Sequence, residues 1–257
     1  MTALSVNLNK VALMRNARAG RAPGPHARPS VERAGRACLA AGAAGLTLHP
    51  RPDRRHALPA DARALAEIVR EAGAELNLEG NPFSESRDDG PGFLDLLREV
   101  APTQATLVPD GAGQLTSDHG WRPADAPRLA PVVAELQGLG CRVALFVDAT
   151  PEAVDGAAEA GADRVELYTG PYAAAALRGE GAAAAAPYAA AAERARAAGL
   201  GVNAGHDLDA DNVAPFLRVV PGVAEVSIGQ ALVADAVHVG LAAAVGAYLE
   251  AIRSAGG

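Results

Sequence analysis

Five basic side chains crowd one short run, His49-Pro50-Arg51-Pro52-Asp53-Arg54-Arg55-His56. Guanidinium and imidazole groups this close repel one another unless an anion is shared. A phosphate ester suits them, because the arginine fork of N–H donors matches phosphate oxygens. The alternative is a solvated basic loop. Just upstream, Gly45-Leu46-Thr47-Leu48 reads as a strand, with Thr47, His49 and Arg51 on one face and Leu46 and Leu48 on the other. Pro50 and Pro52 fix φ and remove backbone donors, so the strand must end there.

Acid–base groups recur at the ends of other strand-like runs. Glu79 closes Glu75–Glu79, Glu166 lies in Arg164–Gly170, and His206 closes Gly201–His206. An imidazole facing two carboxylates across a polar wall suits proton transfer, with His49 as the first candidate. The alternative for either glutamate is ion pairing with Arg51, Arg54 or Arg55. Gly205 and Gly229 let the backbone approach an anion closely. Lys10, next to Asn9, is ligand-facing or at a rim. His26 and His238 read as solvated, and His119 lies in a long loop that is a possible lid. No HExxH, CxxC or carboxylate cluster points to a metal, and no GxGxxG follows a strand.

These groups need a scaffold that brings strand ends together. Strand-like runs occur at Leu4–Asn9, Gly45–His49, Glu75–Glu79, Gln104–Asp110, Arg142–Asp148, Arg164–Gly170, Gly201–His206 and Ala224–Gly229. Helical segments separate them: one opening at Ser30 as N-cap, then Asp61–Ala72, Phe93–Val100, Arg128–Leu139, one capped by Thr150, an alanine-rich stretch broken near Pro187, Asp209–Leu217 and Ala231–Ile252. Long loops at 19–29, 80–92 and 111–127 are functional or mobile. Eight such β-α units predict an α/β fold, a (β/α)8 TIM barrel formed as a single domain over residues 1–257.

The strands alternate. Val6, Leu48, Leu78, Leu107, Val147, Leu167, Val202 and Ile228 point out to helices. Asn7, Asn9, His49, Asn77, Glu79, Thr106, Asp148, Glu166, Asn203 and Ser227 form the opposite, inward set. Barrel interiors are ordinarily filled by branched apolar side chains. Burying polar ones is unfavourable unless they find partners or a ligand, so the lumen is the expected site.

Bulk properties agree. The chain has 257 residues and a net charge of −7, which excludes general nucleic-acid affinity and makes the local basic run more telling. Cys38 and Cys141 read as small buried thiols of a reducing compartment rather than a disulfide. No apolar run is long enough for a membrane span and no signal-peptide pattern opens the chain, so a cytoplasmic location is expected.

The residues also resemble a known family. Asn7 with Arg15-Asn16-Ala17-Arg18, the His49–His56 run, Asn77-Leu78-Glu79, Leu107-Val108-Pro109, Thr116, Phe146-Val147-Asp148, Glu166 with Thr169-Gly170 and Val202–His206 are similar, in order, to pyridoxine 5′-phosphate synthases. The resemblance implies a barrel with additional helices and a homo-oligomer, an octamer built from dimers. The implied reaction is a cofactor-free condensation of 1-deoxy-D-xylulose 5-phosphate with 3-amino-2-oxopropyl phosphate. It yields pyridoxine 5′-phosphate, phosphate and water, a step of vitamin B6 biosynthesis.

Carried over by position, His49 and Glu79 are implied proton acceptors, His206 the proton donor, and Glu166 the transition-state stabiliser. Arg51, His56 and Thr116 are implied to bind the deoxyxylulose phosphate. Asn7, Arg18, Asp207, Gly229 and Gln230 are implied to surround the aminoketone phosphate. Asn9 and Lys10 stand where the family often has Asp-His, and are taken as substrate-binding. Tyr168, Asp207 and Gln230 likewise replace a histidine, a glycine and a histidine. Two other readings remain: another cofactor-free phosphosugar isomerase or lyase on the same barrel, and a non-catalytic phosphate-ligand-binding paralogue.

Overall fold

The computed structural model describes residues 1–20, 22–24, 26–86, 90–111 and 113–256. Parts of all three long loops (residues 21, 25, 87–89 and 112) therefore lie outside the described residues. Eight parallel strands close into a barrel in sequence order: β1 (Ala3–Asn7), β2 (Gly45–Leu48), β3 (Glu75–Gly80), β4 (Gln104–Leu107), β5 (Arg142–Val147), β6 (Arg164–Tyr168), β7 (Gly201–Gly205) and β8 (Val223–Ile228). β8 pairs with β1 through Ser5 and Ser227, which completes the ring. This is the expected (β/α)8 barrel, with helices beyond the minimal eight.

The alternation does what its period requires. Val6, Leu48, Leu78, Leu107 and Leu167 are fully buried beneath the helices. The inward set finds partners across the barrel. Ser5 and Thr47 share a hydroxyl hydrogen bond at 2.7 Å, and Thr106 Oγ1 donates to Asn77 Oδ1 at 3.1 Å. Nearer the strand N-termini, the Gln104 side chain receives Arg142 Nε at 2.8 Å and Asn203 Nδ2 at 3.3 Å. Arg164 in turn donates to Asn203 at 2.9 Å. The bottom of the barrel is thus a hydrogen-bonded polar layer, as buried polar atoms demand.

Two of the expected inward residues are elsewhere. β1 ends at Asn7, and Asn9 opens helix α1 (Asn9–Ala19), a helix the sequence left unassigned. Its buried face is only Val11, Ala12 and Arg15, so it carries little apolar periodicity. Asp148 lies past the end of β5, exposed, where its carboxylate accepts from Gly120 N at 3.2 Å. The last expected helix is two, α11 (Gln230–Val239) and α12 (Leu241–Ser254), because Gly240 adopts φ +87° between them. The alanine-rich stretch is three helices, 170–176, 181–184 and 186–197, the last with Pro187 in its first turn.

Helix α1 also explains the Arg15-Asn16 pair. Arg15 makes a buried two-pronged ion pair with Asp61, including Nη2 to Oδ2 at 2.9 Å. Asn16 Nδ2 donates to the carbonyl of His56 at 2.6 Å and, at longer range, to those of Arg55 and Arg54. One helix thereby pins the end of the basic run. Asp61 also accepts from Leu58 N at 2.8 Å. Asp61→Ala would strand a buried guanidinium, and about 3–5 kcal/mol of stability is the expected loss by urea denaturation.

Candidate active site

At the C-terminal ends of the strands lies a cavity of about 490 Å³. Asn7, Asn9, Lys10, His49, Arg51, His56, Glu79, Thr116, Glu166, His206, Asp207, Gly229 and Gln230 all line it. Of the residues given a catalytic or substrate-binding role from sequence, Arg18 alone does not: it stands exposed in the last turn of α1. Asn9 reaches the site from the start of the helix rather than from a strand. Its Oδ1 accepts from His49 N at 2.9 Å, while Asn7 Oδ1 accepts from Asn9 N at 3.0 Å.

His49 stands between two carboxyl groups. Its Nδ1 is 3.8 Å from Glu79 Oε2 and its Nε2 is 3.7 Å from Asp110 Oδ2, both beyond direct hydrogen bonding. Burial first, then the charges of His56, Arg51 and Arg55, holds the imidazole well below its ordinary pKa. Glu79 is pushed well above the carboxylate range by burial and by Glu166 and Asp110, despite hydrogen bonds from Asn7 Nδ2 (3.3 Å) and Ser227 Oγ (3.4 Å). Glu166 rises to about 8 through burial and the Glu225 charge, against a hydrogen bond from Thr106 Oγ1 at 3.2 Å. At neutral pH the site therefore holds a neutral His49 imidazole with Glu79 and Glu166 protonated. Protons can move here without creating isolated charge.

The basic run is already partly neutralised from within. Arg51 Nη1 donates to Asp110 Oδ2 at 2.6 Å, and Arg55 pairs with Asp53 at 3.2 Å. Arg51 and Arg55 both donate to the Gln114 carbonyl, and Arg55 also to that of Leu115, so the loop after β4 is tied to the run. Glu79 and Glu166 thus find hydroxyl and amide donors, while the arginines find aspartates. His56 Nδ1 accepts from Ala57 N at 2.9 Å, and burial with Arg55 and Arg51 lowers its pKa to about 3. The ring is neutral with its proton on Nε2, a fixed donor at the cavity wall.

His206 Nε2 lies 2.7 Å from Thr116 Oγ1, and its Nδ1 lies 2.8 Å from Asp207 Oδ2. Tyr168 meets the His206 ring edge-on at 5.4 Å and Phe146 at 5.4 Å, forming an aromatic wall. Tyr188, from the last alanine-rich helix, donates to the Tyr168 carbonyl at 2.9 Å and braces that wall. Gly205 passes so close to Glu166 that any Cβ would collide with its carboxyl. Gly229 packs on Asn7 and leads into the first turn of α11, whose free N–H groups can receive an anion.

Asp110 and Ser117 belong to the site and were not singled out, and Phe146, quoted only within a motif, was given no role there. Asp110 Oδ2 also accepts from Ser117 Oγ at 2.8 Å, while its Oδ1 is buried without a partner. Its signal was position: it follows the end of β4 as Glu79 ends β3. His119 and His238 are exposed, His119 paired with Asp118 at 2.6 Å. Both cysteines are free and buried, their thiols pushed up to about 12 by burial. Among the described residues, no helix is long and apolar enough to cross a membrane, and no cluster of three or more His, Cys, Asp or Glu is arranged to hold a metal.

Two titrations bound stability. His56 is near 3 folded and 6.5 unfolded, so below pH 6.5 the unfolded chain takes a proton the fold refuses, costing about 1.4 kcal/mol per pH unit. Glu166 is near 8 folded and 4.5 unfolded. Its stabilisation is full below pH 4.5 and is lost as pH rises through 8. Thermal melts against pH should show both limbs, to which His49 and Glu79 also contribute, with His56→Gln making the acid one shallower and Glu166→Gln the alkaline one. Asp110→Ala should free Arg51 and the loop after β4, seen as faster amide exchange at 114–117.

The sequence profile of the family described as pyridoxal phosphate biosynthesis protein PdxJ matches residues 4–254. A protein of Xanthomonas axonopodis pv. citri named pyridoxine 5′-phosphate synthase is 54% identical over 254 residues, covering 98% of this chain and 97% of the relative. A protein of that name from Albidiferax ferrireducens is 51% identical over 254 residues, with the same coverage. Among solved structures, thiamine phosphate pyrophosphorylase from Pyrococcus furiosus matches with TM-score 0.60 at 15% identity, covering 100% of this chain and 97% of that one. Tryptophan synthase from M. tuberculosis matches at 0.63 and 14%, covering 98% and 94%. These likenesses carry the fold alone. The profile and the close relatives, both spanning nearly the whole barrel that builds the cavity, show that this chain belongs to the PdxJ family of pyridoxal phosphate biosynthesis proteins.

Proposed function

We propose that this enzyme condenses 1-deoxy-D-xylulose 5-phosphate with 3-amino-2-oxopropyl phosphate to give pyridoxine 5′-phosphate, phosphate and water. The observation that carries the reading is the neutral His49 held between Glu79 and Asp110 in a cavity that also presents basic and backbone donors. The amine of the aminoketone attacks the ketone of the sugar phosphate, so the imine nitrogen comes from substrate. Carbon deprotonation, loss of phosphate, loss of water and ring closure then need several proton transfers in one enclosed place.

His49, kept unprotonated by burial and its cationic neighbours, is the first acceptor. Glu79 starts protonated in the free site and accepts only after passing its own proton on. His206 gives a proton to the departing oxygen, and Glu166, beside Thr106, stabilises charge as it develops. Arg51, the His56 Nε2–H and Thr116 hold the sugar phosphate. Asn7, Gly229 and Gln230 serve the aminoketone phosphate, with Gln230 contributing hydrogen bonds but no charge; Arg18, outside the cavity, keeps that role by resemblance alone. Asn9 orients His49 through its backbone, and Lys10 faces the substrates. The Phe146–Tyr168 wall offers a flat face to the forming ring. The active protein is a cytoplasmic homo-oligomer, an octamer in the reading carried by resemblance.

Purified protein mixed with both phosphorylated substrates should release pyridoxine 5′-phosphate and phosphate. His49→Ala or Glu79→Gln should reduce turnover by ~10²–10⁴-fold while retaining binding of the sugar phosphate by calorimetry. Absence of product at high enzyme concentration, with both substrates bound, would instead identify a phosphate-ligand binder.

A further inference from the structure

Resting on that reaction, we propose that Asp207 is a positioning residue for His206, fixing the imidazole so that Nε2 is the atom presented to the leaving oxygen. The two side chains belong to neighbouring residues, yet they face each other at 2.8 Å, Nδ1 to Oδ2. His206 and Asp207 both adopt left-handed φ, +76° and +49°, a region that non-glycine residues seldom occupy. Two donors lock the turn, the Thr169 hydroxyl sharing its one proton between two carbonyls. Thr169 Oγ1 donates to the Gly205 carbonyl at 2.6 Å and also to that of His206, and Leu208 N donates to the His206 carbonyl at 2.6 Å.

The chemistry of the contact sets the tautomer. Asp207 is held below the usual carboxylate range chiefly by its hydrogen bond from His206, so it is ionised and only accepts. Nδ1 must then carry the proton. In the neutral ring Nε2 is left as the acceptor for the Thr116 hydroxyl at 2.7 Å. When His206 is protonated, the carboxylate stabilises the imidazolium and Nε2–H becomes the donor. This is the division of labour by which a carboxylate orients a general acid–base imidazole.

A carboxylate here would also repel a phosphate, and the structure supplies the offset. Lys10, the only lysine in the chain, lines the same cavity. Its ammonium draws the Asp207 pKa down, and Asp207 supports the Lys10 charge against burial and Arg55. Tyr168 on β6 packs edge-on against the His206 ring, and His49 after β2 lies close enough for the two imidazoles to couple.

The test is Asp207→Asn, Asp207→Glu and Asp207→Gly, with kcat and KM for each substrate across pH and nitrogen chemical shifts of 15N-labelled histidine. Wild-type His206, assigned by loss of its signal in His206→Gln, should show the Nδ1–H tautomer. In Asp207→Asn and Asp207→Gly the ring should lose that single tautomer. Both should lower kcat by ~10²-fold or more, with KM for either phosphate within about twofold, and move one limb of the pH–rate profile. Asp207→Glu should recover much of kcat. A raised or lowered KM with kcat and pH profile unchanged would make Asp207 a substrate contact and overturn the proposal, as would an unaltered tautomer. The tautomer is read without turnover, so wild-type protein that makes no pyridoxine 5′-phosphate would overturn the reaction separately.

Discussion

Removal of water from ionisable groups is the constraint on which this barrel depends. Glu79, Glu166 and His49 sit where a charge is poorly solvated, and the fold responds by keeping them neutral rather than pairing each with a counter-ion. The donors around the glutamates are hydroxyls and amides, from Asn7, Ser227 and Thr106. Such partners satisfy the oxygens but do not supply enough stabilisation to ionise them. An arginine beside either glutamate would have made a stable ion pair and a poor proton carrier. The arginines are instead diverted to Asp110 and Asp53, at the edge of the cavity.

That diversion ties catalysis to loop order. Asp110 gathers Arg51 and Ser117 at one carboxylate oxygen, and the carbonyls of Gln114 and Leu115 receive Arg51 and Arg55. From the far side, Asn16 of α1 holds the carbonyls of residues 54–56. The basic run is therefore a braced hinge between two connections, with Pro50 and Pro52 limiting its backbone freedom. Opposite it, the left-handed turn at His206 and Asp207 is braced by Thr169, and Gly205 leaves room for the Glu166 carboxyl. Strain and close approach concentrate where side chains must be aimed.

Much of this was legible in the chain. Period-two alternation with polar inward positions identified both the barrel and its polar lumen, and the residues given a catalytic or substrate-binding role from sequence line one cavity except Arg18. The misses have physical causes. Helix α1 was missed because its buried face is short and includes Arg15, whose burial depends on Asp61, 46 residues away. Asp148 was placed inward by extending the alternation past the last paired residue of β5. Asp110 escaped notice because its importance comes from what folds against it.

The sequence by itself determined the number of strands and most of the residue types that face the lumen, since side-chain period is a local property. It also determined the family, through motifs in a fixed order. Only the tertiary structure decided the protonation of those residues and their pairings. Desolvation and Coulomb coupling depend on groups brought together from different strands: Glu225 against Glu166, Asp110 against Arg51, and Thr116 against His206.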